Sequence, residues 1–369
     1  MITERERQIL GWIRENPSIT QKELAEKAQI SRSSVAVHIS NLMRKGAIRG
    51  RRYILEESPY IVSIGASRVD VIGWPEMQHT LSSGDNGSDS HRGIVRTVVS
   101  GTAHNIAQTL AHLDCPVRLV SVFGGDDEGE RLIASCKRDG IDISESMTAR
   151  GMESASNVFL TRPDGTRQLV LSDSKAFDLL SPDYLAEHLA TINRAAICIV
   201  ESSVPQASRD FLWKSVQVPM AYVSSTSRNG IPTEADLSRP DLVKIDISTL
   251  EALVERILPS LMEIKIASSE VLARGPRAVF VSLEDGGLFC LGQGEEAHLP
   301  WVGGPLPPSG EFQDALSASI IWGWIQGFTA KKCAQAGLVA AAYHANARGA
   351  TRVTLDSKSL RARLGAESD

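Results

Sequence analysis

Residues 102–140 read TAHNIAQTLAHLDCPVRLVSVFGGDDEGERLIASCKRDG. TAHNIAQTLAHL has the pattern of a helix, VRLVSVFG of a β-branched strand, and DEGERLIASCKRDG of a second helix. Helix and strand alternating within so short a stretch is the signature of a parallel sheet covered by helices. The same alternation extends in both directions. YIVSIGAS, ending near Gly65, is a strand upstream; AAICIVES, MAYVSS, LVKID and AVFVSL are short β-branched runs downstream, separated by helical stretches. One segment breaks the pattern. NVFLTRPDGTRQLVLSD (157–173) holds two alternating runs around a Pro-Asp-Gly turn and predicts an antiparallel hairpin, a lid or dimer flap set apart from the main sheet. A second lid segment is expected near 70–100, containing the polar stretch LSSGDNGSDSHRG (81–93), read as a mobile loop.

The first 57 residues read differently. Thr3 with Glu6 and Thr20 with Glu23 form two capping boxes, opening ERERQILGWIREN and QKELAEKA. Ser31 caps a third helix, RSSVAVHISNLMRKG, and AIRGRRYIL follows as a basic hairpin. Ile9, Leu10 and Ile13, then Val35, Ile39 and Leu42, mark the faces expected to be buried. Residues 1–55 hold 11 Lys and Arg against 5 Asp and Glu, a net +6; the rest holds 39−11=28 against 44−5=39, a net −11. A basic head on an acidic body places any polyanion contact in the head.

Bulk properties narrow the classes. At 369 residues the chain has room for a small and a large domain, and the boundary is expected at 57/58. The five cysteines, 115, 136, 198, 290 and 333, are odd in number and scattered, which predicts reduced thiols and no zinc site. The start MITERERQIL is charged from its fourth residue and is not expected to be a secretory signal, and no apolar run reaches bilayer length, so a cytoplasmic protein without a membrane partner is expected.

The head resembles the winged helix-turn-helix DNA-binding domains of bacterial regulators. That resemblance implies a third helix in the major groove, with Arg32, Ser33, Ser34 and His38 toward base edges, and Arg49, Arg51 and Arg52 on the wing against phosphates or the minor groove. It also implies a homodimer reading paired half-sites about 34 Å apart. A helical module that docks another protein is the alternative for this head.

The body, 58–369, resembles the PfkB/ribokinase family of sugar and nucleoside kinases across residues 58–355. The resemblance is carried by IGASRVDVIG (64–73), SGTAHNIAQTLAHLD (100–114), VFGGDDEGERL (122–132), DALSASIIWGWIQG (314–327) and ANARGAT (345–351). It implies a ribokinase-like doubly wound sheet with a small β lid. GIVRTVVSGTAHNIAQTLAHL and LVLSDSKAFDLLSPDYLAEHL are nearest to pseudouridine kinases within the family. By position the resemblance makes Asp314 the catalytic base and Asp70, Gly101, Asn105 and Asp314 the grip on a sugar or nucleoside; Ser100 replaces the first glycine of that helix start.

The nucleotide side departs from the family pattern. Where the family places Gly-Ala-Gly before its aspartate, so that bare amides can hold a phosphoryl group, this chain has Glu311, Phe312 and Gln313. The Asn-x-x-Glu motif that organises metal-bound water reads DIST, with Asp246 and Thr249 at its ends. Glu284 stands at the glycine of the nucleotide-side turn, in VSLEDGG. The expectation is a transcriptional regulator whose sensor is a kinase-derived domain with little or no phosphoryl transfer. No metal or cofactor is implied by that reading; an active ATP-dependent kinase, using ATP and Mg2+ with a turn shifted to Gly310, is the alternative.

Overall fold

Three helices open the chain because each begins on a side chain that satisfies its first amides. The structure is a computed structural model that describes residues 2–16, 19–49, 54–55, 59–75, 92–162, 167–224, 231–304, 306, 311–346 and 355–366. Thr3 and Glu6 cap α1 (Glu4–Glu15) reciprocally, Thr20 and Glu23 cap α2 (Gln21–Ala28), and the Ser31 hydroxyl accepts the Ser34 amide at the start of α3 (Arg32–Arg44). Gln29 takes left-handed angles, turning the chain sharply between α2 and α3. Ile9, Leu10, Ile13, Leu24, Val35, Ile39 and Leu42 form one small core with Ile48. The hairpin pairs β1 (Ile48–Arg49) with β2 (Ile54–Leu55), Ile48 opposite Leu55. Glu6 is buried as well, which the sequence pattern did not indicate; Lys45 Nζ, 2.6 Å from its carboxylate, supplies the partner.

The chain divides into two compact units, Met1–Ser58 and Pro59–Asp369. In the second, an eight-stranded sheet runs in the order β16-β15-β14-β13-β12-β11-β3-β6. Its parallel part consists of β3 (Ile61–Ile64), β6 (Val117–Val120), β11 (Ile197–Glu201), β12 (Met220–Val223), β13 (Leu242–Asp246) and β14 (Ala278–Ser282). β15 (Leu288–Gly292) and β16 (Glu295–Leu299) extend it antiparallel. The switch has a local cause: the Gly286 amide bonds the Leu283 carbonyl and the Leu283 amide the Gly287 carbonyl, a tight turn too short for a parallel crossover. Buried side chains fill both faces of the sheet.

A second sheet, β10-β9-β4-β5, joins β4 (Arg68–Pro75) and β5 (Gly93–Ser100) to the hairpin β9 (Ser156–Thr161) and β10 (Arg167–Asp173). VRLVSVFG, read as one strand, is two: β6 ends at Val120, and β7 (Val122–Gly124) pairs with β8 (Met147–Ala149) instead. Ser121 breaks the run, its hydroxyl donating to the Gly65 carbonyl and its amide to the Ser146 hydroxyl. The flanking helices are α4 (Thr102–His112), α5 (Asp127–Arg138), α6 (Pro182–Glu187), α7 (Leu189–Ile192), α8 (Gln206–Ser215), α9 (Glu234–Ser238), α10 (Ile247–Val254), α11 (Leu261–Leu272), α12 (Glu311–Ile325), α13 (Ala330–Asn346) and α14 (Ser357–Ala366). Asp126 caps α5 through the Gly129 amide and also binds Ser154; burial raises its carboxyl, but those hydrogen bonds outweigh it and hold the group below its usual range.

Arg51, Arg52, the Pro-Asp-Gly turn, Gly310, most of the polar loop 81–93 and most of the closing turn 345–351 lie outside the described residues. Among the described residues no helix is long and apolar enough to cross a membrane.

Candidate functional site

The strands of a doubly wound sheet deliver their C-terminal ends to one edge, where such folds bind ligands. β3 ends there at Gly65, whose φ of +144° would bring a Cβ within 2.2 Å of the Glu201 carboxylate. Glu201, the last residue of β11, is buried and accepts the Ala66 amide at 2.6 Å and the Ser203 amide at 2.8 Å. The next carbonyl, that of Ala66, accepts the His104 amide in the first turn of α4. Gly101 precedes that helix at φ +114°, and a Cβ would stand 2.4 Å from the Ala66 oxygen; only glycine lets the strand end and the helix start come this close.

This approach puts Asn105 on the inner side of α4. Its Nδ2 donates to Asp314 Oδ2 at 2.8 Å, and both side chains are buried. Asn105 and Asp314, expected to act together, are thus in direct contact. Asp70 sits on the lid sheet, on β4, buried and paired with Arg68 Nε at 2.9 Å.

The altered positions have partners of their own. Phe312 is buried with its ring centroid 5.6 Å from that of Trp301. Glu311 opens α12, and its side chain lies outside the described residues. Gln313 Oε1 accepts a hydrogen bond from Lys244 Nζ at 3.2 Å, and the same ammonium donates to Ser282 Oγ at 3.2 Å. Asp246 caps α10, its Oδ1 taking the Thr249 amide at 2.7 Å. The Thr249 side chain is buried, and its hydroxyl has no hydrogen-bond partner among the described residues. Glu284 is exposed on the turn between β14 and β15.

Lys244 and Glu201 are the two site residues that motif reading missed. Lys244 is 1% exposed. Burial pushes its ammonium down to about 8, against the pull of the Asp246 and Asp314 carboxylates. A signal for it existed in LVKID, where a lysine interrupts a run whose other residues suit a strand buried on both faces.

In the first unit, Arg32 and Ser33 are exposed on α3, whereas Ser34 and His38 are half-buried on its flank. The Ser34 hydroxyl is engaged with that of Ser31 at 2.8 Å. Arg49 lies in β1, and its side chain is outside the described residues.

Comparison with known proteins matches residues 58–357 to the family model for pfkB family carbohydrate kinases, and residues 2–49 to a winged helix-turn-helix DNA-binding model. An uncharacterized sugar kinase of Escherichia coli K12, YeiI, is 27% identical over 343 residues, covering 92% of this chain and 93% of that protein. Pseudouridine kinase from the same organism is 26% identical over 152 residues, 41% of this chain and 47% of that one. Among solved structures, the Arabidopsis thaliana ribokinase complexed with ribose and ATP superposes with a TM-score of 0.71 at 18% identity, over 84% of this chain and 99% of that one. The Thermotoga maritima ribokinase gives 0.70 at 17%, over 84% and 100%. The body therefore has the ribokinase-like fold, and the head matches a winged helix-turn-helix.

The buried ammonium has a measurable cost. The unfolded chain keeps this proton up to about pH 10.5, while the folded chain releases it near 8. From this group, then, stability rises with pH between those values, and below 8 the charge is a constant penalty of about 3 kcal/mol. Measured against Lys244→Met, which lacks the titrating group, wild type should therefore gain up to about 3 kcal/mol of stability between pH 7 and pH 10.5. Urea unfolding of both proteins at pH 7 and pH 10 checks this; a stability difference that does not change with pH contradicts it.

Proposed function

This chain belongs to the pfkB family of carbohydrate kinases, and from that premise we propose a DNA-binding transcriptional regulator whose kinase-family domain binds a sugar or nucleoside and transfers phosphate poorly or not at all. The observation that carries the proposal is the hydrogen bond from Lys244 to Gln313. Gln313 holds a position where family members need bare glycine amides for the phosphoryl group. Here that position carries a side chain whose oxygen is already taken by a buried cation.

The rest of the nucleotide side agrees. Asp246 spends one carboxylate oxygen on the Thr249 amide, and Thr249 offers a neutral hydroxyl where the family has a carboxylate for metal-bound water. One ammonium, Lys244, lies within the fields of two carboxylates, Asp246 and Asp314, so their combined charge repels a triphosphate. ATP and Mg2+ therefore fit this side poorly. The acceptor side keeps what a hydroxyl-rich ligand requires: Asp314 fixed by Asn105, Asp70 on the lid, and the close approach at Gly101. Pseudouridine or a related nucleoside is the preferred ligand, on the partial likeness to pseudouridine kinase.

The head supplies DNA affinity through its positive charge and its match to winged helix-turn-helix domains. A homodimer would give two such heads, and the lid offers a self-complementary surface. Val95, Leu160 and Leu169 align across the strands in one row, Val158 and Leu171 in the next, all on the face opposite Asp70. Val95 is 70% and Leu171 67% exposed, an apolar face fit for a second copy of itself. If the ligand changes lid position in such a dimer, ligand affinity and DNA affinity become linked and each biases the other.

An active kinase is the second reading, favoured by the Asn105–Asp314 bond, which leaves the family's base in place. The two separate on turnover. With MgATP and pseudouridine, ribonucleosides or pentoses, wild-type protein should form no more ADP than Asp314→Asn; ADP formation that this substitution abolishes establishes the kinase. For the lid, Leu171→Arg should convert a wild-type dimer to a folded monomer in sedimentation velocity. A variant that remains dimeric removes this face as the contact.

A further inference from the structure

On α3 the buried side chains Val35, Ile39 and Leu42 leave an exposed surface that includes Arg32, Ser33, Val37 and Ser40, with Met43 and Arg44 in the last turn. The helix carries no acidic residue anywhere in RSSVAVHISNLMR. Val37 is 59% exposed, while Val35, two residues earlier, is fully buried. Val37 therefore does nothing for the core, and a β-branched residue on an exposed helix face is a poorer helix former than alanine. It lies in the second turn, among the N-terminal residues that a recognition helix presents to base edges.

The major groove offers one apolar group to such a side chain, the C5 methyl of thymine; every other feature of the base edges there is a hydrogen-bond donor or acceptor. We propose that Val37 reads a thymine methyl group and is a specificity-determining residue of the head, an inference that rests on the DNA-binding reading above. Arg32 and Ser33, exposed in the preceding turn, supply the polar contacts that set the helix in register beside it. His38, singled out by motif reading, is half-buried on the flank of the helix, less exposed than Val37.

The test uses the full chain. Duplexes that bind it are selected from a random pool, and each thymine of the best duplex is replaced by deoxyuridine, which removes only the methyl group. Anisotropy titration of wild type should show about a fivefold loss at one thymine in each half-site, the weight of about one buried methyl group. Val37→Ala, at an exposed position, keeps the fold; it should bind the thymine duplex about fivefold more weakly than wild type and be indifferent to the deoxyuridine exchange. A wild-type protein indifferent to every thymine methyl, or a Val37→Ala variant that still senses the loss, overturns the inference while DNA binding stands. A pool that yields no enriched duplex overturns the DNA-binding reading, and the inference with it.

Discussion

The hydrogen bond from Asn105 to Asp314 joins two residues 209 positions apart and ties the starts of α4 and α12 together at the C-terminal edge of the sheet. Neither residue is free to move far. Asn105 follows Gly101, whose backbone angles let α4 begin against Ala66, and Ala66 is anchored in turn by Glu201. Asp314 sits in the first turn of a long helix whose apolar residues are packed into the core. A buried carboxylate needs such partners, since without them burial drives it neutral. The sheet and its crossovers exist as a scaffold that could serve many chemistries; in the function proposed above, these contacts make one edge of it a hydroxyl-binding site.

What distinguishes this site is charge. Lys244 comes from the middle of the sheet, and its ammonium has little water around it, so its charge must be balanced by Asp246 and Asp314. In a phosphoryl-transfer site that balance falls to metal and phosphate together, held by open backbone amides. Here the lysine ammonium donates to the glutamine side chain, and Asp246, at the first position of DIST, caps a helix.

Much of the fold was legible because its elements announce themselves locally. The two Thr-x-x-Glu boxes define where α1 and α2 begin, and the β-branched runs from Ile61 to Ser282 define the parallel strands. The break at Ser121 was hidden, because it depends on hydrogen bonds to Gly65 and Ser146, which are remote in sequence. So was the burial of Glu6, which requires Lys45 from another helix end. In the site, the family resemblance pointed to Asn105 and Asp314, carried by the short stretches at the starts of α4 and α12. Lys244 and Glu201 carry no such motif; their roles come from strand register, which decides what stands at the sheet edge.

The two units differ in charge, a basic head and an acidic body, and the function proposed for the body is to hold a hydroxyl-bearing ligand without a nucleotide. Calorimetric titration of the full chain with MgATP, alone and beside pseudouridine and a panel of ribonucleosides, tests that claim most directly. The account predicts heat from a nucleoside and none from MgATP at concentrations up to the millimolar range. Micromolar binding of MgATP would contradict it, because it would place a triphosphate against Gln313 and Lys244, where the account leaves no room for one.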